Sequence, residues 1–141
     1  MHRTIFTLGH STRSEAEMLE LLRGWGIEAI ADVRRFPTSK HEQFKRERME
    51  EWLPEAGVAY EFLGQELGGF RTGGYEAYMK SAEFAAGIGR LEAIAAERLI
   101  AVMCAEKLPW RCHRRFIGDA LGERGWEVVH IIEGDRTWQH R

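Results

Sequence analysis

Apolar positions along the chain follow two alternating rhythms. Short runs rich in β-branched and apolar residues recur at Thr4–Leu8, Glu28–Val33, Val58–Leu63, Leu99–Cys104 and Glu127–Ile132. Runs of this length bounded by turn residues predict buried strands. Between them the apolar residues recur at helical spacing. Glu15 to Arg23 places Met18, Leu19, Leu21 and Leu22 on one face, and Ser14 with Glu17 forms a capping box. Phe44 to Ala56 carries Met49, Trp52 and Leu53 as an apolar stripe through a charged segment. Tyr75 to Glu97 divides into two helices near Ser81 or near Gly87-Ile88-Gly89, and Cys112 to Arg124 presents Phe116, Ile117, Ala120 and Leu121. Gly26, Gly57 and Gly125 each stand between a helix and the next strand, where a helix stop favours positive φ.

Strand–helix–strand alternation predicts an α/β protein. The expectation is a single three-layer domain over residues 1–141, with a mainly parallel sheet of about five strands and helices on both faces. The tail from Gly134 to Arg141 is polar and expected to fray, with Trp138 as its one candidate anchor. Composition narrows the class further. The apolar fraction is 44% and the charged fraction 30%, which argues against disorder. No apolar run approaches the ~20 residues of a membrane span, and the first residues hold too short an apolar stretch for a signal peptide, which points to a cytoplasmic protein. A net charge of −2 excludes a uniformly basic nucleic-acid coat, and two cysteines exclude a disulfide framework.

Position gives these numbers meaning. In open parallel α/β sheets, ligands bind beyond the carboxyl ends of the strands. The predicted strands are followed by His10-Ser11-Thr12-Arg13, by Arg34-Arg35 directly behind Asp32, by Gln65 to Arg71, and by Ala105-Glu106 leading to Trp110-Arg111-Cys112-His113-Arg114. Residues 34–48 hold six Lys or Arg against Glu42 and Glu47, and residues 104–115 hold four against Glu106. Such a concentration suits an anion such as a phosphate, a nucleotide or a nucleic-acid backbone, although charge runs also form ordinary solvated faces. His10, Ser11 and Thr12 precede a capped helix whose N-terminus suits an anion, with Arg34, Arg71 and Arg114 as candidate cationic partners.

Cys104 ends the fourth strand, and Cys112 falls at the start of the last helix. There the helix dipole with Arg111, His113 and Arg114 would lower its pKa toward the reactive thiolate. Three chemistries compete for this loop: a nucleophilic or redox thiol with the two cysteines as attacking and resolving partners, a metal site, and simple retention of an anion. Seven residues separate the two cysteines, which matches no standard structural zinc pattern, and six separate Cys104 from Arg111, which does not match a phosphatase-type loop. Asp32 and Glu106, at the ends of strands two and four, are either a general acid/base pair or partners of arginines, the latter favoured for Asp32. His130 reads as a core histidine, and Tyr75 with Tyr78 as core aromatics that could also line a pocket.

Several stretches together resemble one family. They are Thr7-Leu8-Gly9-His10-Ser11-Thr12, Asp32-Val33-Arg34 with Phe36-Pro37, Glu66-Leu67-Gly68-Gly69, Gly74-Tyr75 with Tyr78-Met79, and Met103-Cys104-Ala105-Glu106 with Trp110 to Arg114. In this order they resemble the domain-of-unknown-function family number 488 over nearly the whole chain. The resemblance implies that the family's signature positions are these strand-end residues; it brings no settled activity with it. The layout of Asp32-Val33-Arg34, the strand ending in Cys104 and the following helix is also similar to rhodanese domains, though the loop here is longer and carries a second cysteine.

The sequence thus leads us to expect an enzyme, its reaction unspecified, that binds an anionic small molecule at the C-terminal edge of the sheet. His10, Ser11, Thr12, Arg34, Arg71 and Arg114 are the anion-binding candidates; Cys104, Glu106, Cys112 and His113 are the chemical ones. The alternatives are a thiol redox or sulfur-transfer protein using Cys112 and Cys104, a nucleic-acid-binding module, and a metal-dependent hydrolase. No cofactor, membrane contact or oligomeric state is specified.

Overall fold

All five predicted strands form. A computed structural model describes residues 3–140; Met1, His2 and Arg141 lie outside the described residues. The strands are β1 (Thr4–Gly9), β2 (Ala29–Asp32), β3 (Ala59–Phe62), β4 (Ile100–Cys104) and β5 (Glu127–Glu133), with β6 (Arg136–Gln139) added at the end. They make one sheet in the order β3-β2-β4-β1-β5-β6. The first five run parallel, and β6 returns antiparallel beside β5. The tail therefore does not fray as expected. Ladder bonds to β5 hold it, and Trp138 packs on Trp110 at 5.7 Å and stacks on His130 at 5.2 Å.

The helices are α1 (Glu15–Trp25), α2 (Arg46–Glu55), α3 (Gly64–Leu67), α4 (Tyr75–Tyr78), α5 (Ala82–Glu97) and α6 (Arg114–Glu123). Ser14 and Glu17 complete the expected capping box of α1, and Gly26 ends that helix at φ 69°. The Tyr75–Glu97 segment divides at Ser81, whose hydroxyl caps α5. The alternation of side chains along each strand sorts the core into two layers. Val102 and Cys104 of β4 pack with Ile88 and Leu91 of α5 and Ile117 and Leu121 of α6. Ala101 and Met103, the intervening residues, pack with Met18 and Leu22 of α1 and Met49 and Leu53 of α2. Helices thus cover both faces, as the strand–helix alternation requires. Among the described residues no helix is long and apolar enough to cross a membrane.

Because β1 to β4 are parallel, their carboxyl ends meet at one edge. The His10 N–H donates to the Cys104 carbonyl at 2.9 Å, the Val33 N–H to Met103 at 3.0 Å and the Leu63 N–H to Asp32 at 2.9 Å. The segment after β4 crosses directly over the end of β1, and only a glycine permits the approach: a Cβ on Gly9 would sit 1.8 Å from the Glu106 carbonyl oxygen. Gly9→Ala is therefore expected to push the 105–107 backbone outward and destabilise the fold by about 2 kcal/mol or more. A urea midpoint equal to that of the wild type would contradict this packing.

Candidate active site

The residues that follow β4 turn once through a 3₁₀ segment, Pro109–Arg111, and deliver Cys112 and His113 to the N-terminus of α6. Cys104 and Cys112 are both free thiols, and their sulfurs face each other at 2.8 Å. His113 stands beside them with Nδ1 3.5 Å from Cys112 Sγ and Nε2 2.9 Å from the Val33 carbonyl. A carbonyl can only accept, so Nε2 carries a proton, and this bond aims Nδ1 at Cys112.

The two thiols occupy unlike surroundings. Cys112 is only partly buried at a helix N-terminus, and hydrogen bonds from Cys104, from His113 and from the Arg114 backbone N–H hold its thiol well below the ordinary range, against the opposing effect of burial. Cys104 is buried, and burial, with its hydrogen bond to Cys112, pushes its thiol up, although the Arg114 charge pulls it down. The surroundings therefore favour the thiolate on Cys112 and the proton on Cys104.

Beneath the thiols lies Arg114, which is wholly buried although charged. Its Nε donates to Cys104 Sγ at 3.0 Å, Nη1 to Thr7 Oγ1 at 2.8 Å, and Nη2 to the carbonyls of Glu106 at 2.7 Å and Lys107 at 3.1 Å. Among the described residues no carboxylate is its partner. Thr7 Oγ1 in turn lies 2.5 Å from His130 Nδ1, His130 Nε2 lies 2.9 Å from His140 Nδ1, and His140 Nε2 lies 2.7 Å from Asp119 Oδ1. With neutral rings the donors run one way: Asp119 can only accept, so His140 donates to it, His130 donates to His140, and the Thr7 hydroxyl donates to His130.

A second buried arginine is compensated within its own strand end. Arg34 grips Asp32 through Nε at 2.9 Å and Nη2 at 2.7 Å, and donates Nη1 to the Phe44 carbonyl at 2.7 Å. The Tyr60 hydroxyl donates to the same carboxylate at 2.5 Å, so Asp32 is an ion-pair partner, not half of an acid/base couple. His10 lies behind this pair, with Nε2 3.4 Å from Arg34 Nη1 and its ring stacked on Phe44 at 4.4 Å. Burial lowers the His10 pKa to about 4, and burial with the Arg114 and His140 charges lowers that of His130 to about 3.

A cavity of about 380 Å³ opens over the thiols. Of the residues singled out in the sequence, Cys104, Glu106, Cys112, His113 and Arg34 line it. Arg114 lies under it, with its donors engaged internally. Ser11, at φ 51°, gives its N–H to the Ala105 carbonyl, and Thr12 is exposed; neither lines the cavity. Arg71 is also outside it, donating to the Gly68 and Gln65 carbonyls with its guanidinium over the Tyr78 ring at 3.9 Å. The sequence reading placed Arg35, Phe36 and Arg111 near strand ends but assigned neither them nor Phe70 to the site, and it did not join Thr7, His130, His140 and Asp119 into a chain. Among the described residues, no group of three or more His, Cys, Asp or Glu side chains is arranged to hold a metal ion.

Fold and site together define an α/β protein with a six-stranded, mainly parallel sheet and two apposed thiols at the carboxyl edge of its strands. The chain belongs to the family described as the domain of unknown function DUF488, whose model matches residues 14–121. That span takes in Arg34, both cysteines, His113 and Arg114, and stops short of Thr7, His130 and His140. No curated protein and no solved structure matches the chain.

The two lowered histidines set an acid limit. In the unfolded chain each imidazole protonates near pH 6.5, whereas in the fold His10 resists to about 4 and His130 to about 3. The unfolded state therefore binds more protons across that interval. Stability is fully present above pH 6.5 and falls as the pH drops, by about 1.4 kcal/mol per unit for each ring. Urea unfolding between pH 7 and 4 is expected to show this slope, and His130→Gln to flatten it; a slope unaltered by that substitution would contradict the assignment.

Proposed function

We propose that this protein is a thiol–disulfide exchange enzyme in which Cys112 attacks and Cys104 resolves. The observation that carries the reading is the apposition of two free thiols at 2.8 Å with unlike surroundings, one accessible and thiolate-favouring, the other buried against a guanidinium.

The steps follow from the geometry. The Cys112 thiolate attacks one sulfur of a substrate disulfide; a Cys112–substrate disulfide forms, and the other half leaves as a thiolate. Cys104 then gives up its proton to the released substrate thiolate, its developing charge met by Arg114 Nε at 3.0 Å, and attacks Cys112 Sγ. The second substrate thiol leaves, and a Cys104–Cys112 disulfide remains. The substrate disulfide is reduced by two electrons and the protein dithiol is oxidised by two. Closing the bond at the usual S–S length of about 2.05 Å needs less than about 1 Å of sulfur movement. His113, oriented by the Val33 carbonyl, keeps Nδ1 turned toward Cys112 Sγ, the sulfur that is released as a thiolate when the reduced pair is restored.

This reading keeps an anionic substrate within reach but relocates its partner. Arg34, Arg71 and Arg114 direct their donors to protein acceptors, whereas Arg111 lines the cavity with no side-chain hydrogen bond or ion pair among the described residues.

Hydroxyethyl disulfide followed by mass spectrometry tests the proposal. The wild type is expected to end lighter by two hydrogens with no adduct, Cys104→Ala to stop at a single adduct on Cys112, and Cys112→Ala to react at least about a hundredfold more slowly. A wild-type product carrying two adducts and no internal disulfide would overturn it. Alkylation of Cys112 by iodoacetamide should be half-maximal well below the ordinary thiol value of about 8.5, and Cys104→Ala should move that midpoint upward by removing the hydrogen bond that lowers it most.

A further inference from the structure

The wall of the thiol cavity carries two features that the fold does not use. Phe36 is 61% exposed and Phe70 83% exposed, yet the two rings lie side by side with centroids 5.9 Å apart. Phe70 also holds a left-handed backbone, φ 59°. A bulky residue in that conformation is strained, and an aromatic left in water returns no burial to offset the strain. Strain of this kind persists where the surroundings impose it. Arg35 supplies part of that constraint: its Nη1 donates to the Phe70 carbonyl at 2.5 Å, and its guanidinium sits 5.6 Å from the Phe36 ring.

Tyr75 extends the aromatic surface toward the thiols. Its hydroxyl is engaged by the Leu67 carbonyl at 2.7 Å, and its ring packs 5.3 Å from that of His113, so the cavity meets its apolar face. Charge completes the wall. Arg34 is neutralised by Asp32, which leaves Arg35 and Arg111 against the single carboxylate of Glu106, itself accepting the Leu108 N–H at 3.4 Å. Arg111 is exposed and adjoins Cys112 in the chain. The volume, about 380 Å³, is that of a small-ligand site.

We infer that the cavity selects a small aryl disulfide bearing a negative charge, its ring held against Phe36 and Phe70 and its anion at Arg111, with the sulfur over Cys112. This rests on the thiol-exchange reading and specifies its substrate class. An aromatic ring gains from stacking and from burial of both phenyl faces, and the released aryl thiolate is a weakly basic, good leaving group in the first exchange step. The anion gains from a guanidinium that has no internal partner.

Three disulfides separate the contributions: dithiobis(nitrobenzoic acid), which is aromatic and dianionic; dithiodipyridine, aromatic and neutral; and hydroxyethyl disulfide, neither. Stopped-flow rates on the reduced protein are compared as ratios within each variant, so that a general loss of folding or thiol reactivity cancels. Phe36→Ala and Phe70→Ala are expected to lower the ratio of each aryl rate to the hydroxyethyl rate by about tenfold. Arg111→Gln is expected to lower the dithiobis(nitrobenzoic acid) to dithiodipyridine ratio by about threefold, with the difference vanishing in high salt. Ratios equal to the wild type in all three variants would overturn the substrate class while leaving thiol exchange in place, as would equal losses on all three disulfides. A wild type that forms no internal disulfide with hydroxyethyl disulfide would instead overturn the reading beneath it.

Discussion

Arg114 places a full positive charge where no solvent reaches it and no carboxylate meets it. An isolated buried cation is costly, so the fold around it must supply both acceptors and countercharge. Much of the site's construction follows from that demand. Glu106 and Lys107 turn their carbonyls inward to accept from Nη2, which draws the segment after β4 across the end of β1. That crossing is why position 9 has no side chain. Thr7, on the interior of β1, accepts from Nη1 and donates its hydroxyl hydrogen bond to His130 Nδ1. The remaining group in reach is Cys104 Sγ at 3.0 Å, which faces Cys112, the thiol whose surroundings favour its ionised form. Buried cation and thiolate pair are therefore one electrostatic unit: the guanidinium favours an ionised sulfur, and the ionised sulfur makes the guanidinium tolerable.

The contrast with Arg34 shows what the absence of a carboxylate achieves. Arg34 is nearly as buried, but Asp32 meets it with two hydrogen bonds and Tyr60 caps the same carboxylate. That cluster is closed; its charge is satisfied whether or not anything binds, and it serves to fix the 32–36 segment as a rigid cavity wall. Arg114 is open by comparison, because its compensation depends on the protonation and oxidation state of two sulfurs. Two buried arginines at one sheet edge thus do different things, and the partner each finds decides which.

The hydrophobic rhythm carried most of the architecture. Central parallel strands such as β2 and β4, buried on both faces, read as continuous apolar runs, the half-buried edge strand β3 still stood out between its flanking glycine and helix signals, and Ser14 with Glu17 announced the start of α1 by local hydrogen bonding alone. What escaped depended on distance rather than pattern. Strand β6 is polar and exposed on every residue, so nothing but its pairing with β5 defines it. Helix α3 has four residues, too few for a period. The cysteines and His113 were legible because a helix N-terminus following a strand end is a local feature. Arg34 and Arg114 were legible as site residues but not in their orientation: a sequence shows a charge, not whether its acceptors lie inside. Thr7, His130, His140 and Asp119 stand up to 133 positions apart and join only through the β1–β5 register and the β6 return. Phe70 was hidden for a different reason, since a left-handed phenylalanine contradicts its own local preference.

In the proposed exchange cycle the arrangement of charges favours two cysteines over one, and each step that follows belongs to that cycle. In the resting pair the negative charge sits on Cys112, in reach of solvent, and Cys104 keeps the proton under burial. Attack on a substrate removes the charge from Cys112, because that sulfur becomes part of a neutral disulfide. Arg114 then faces a neutral thiol, and the buried cation has lost its counterion. Ionising Cys104 restores it. The same guanidinium that lies 3.0 Å from Cys104 therefore favours the very step that resolves the mixed disulfide, and it does so more strongly after the first attack than before it. Once Cys104 is also consumed, no ionised sulfur remains and Arg114 is uncompensated except through Thr7, His130 and His140 toward Asp119. In the proposed cycle the oxidised form is thereby penalised relative to the reduced one, which would make it a ready acceptor of electrons from a further thiol.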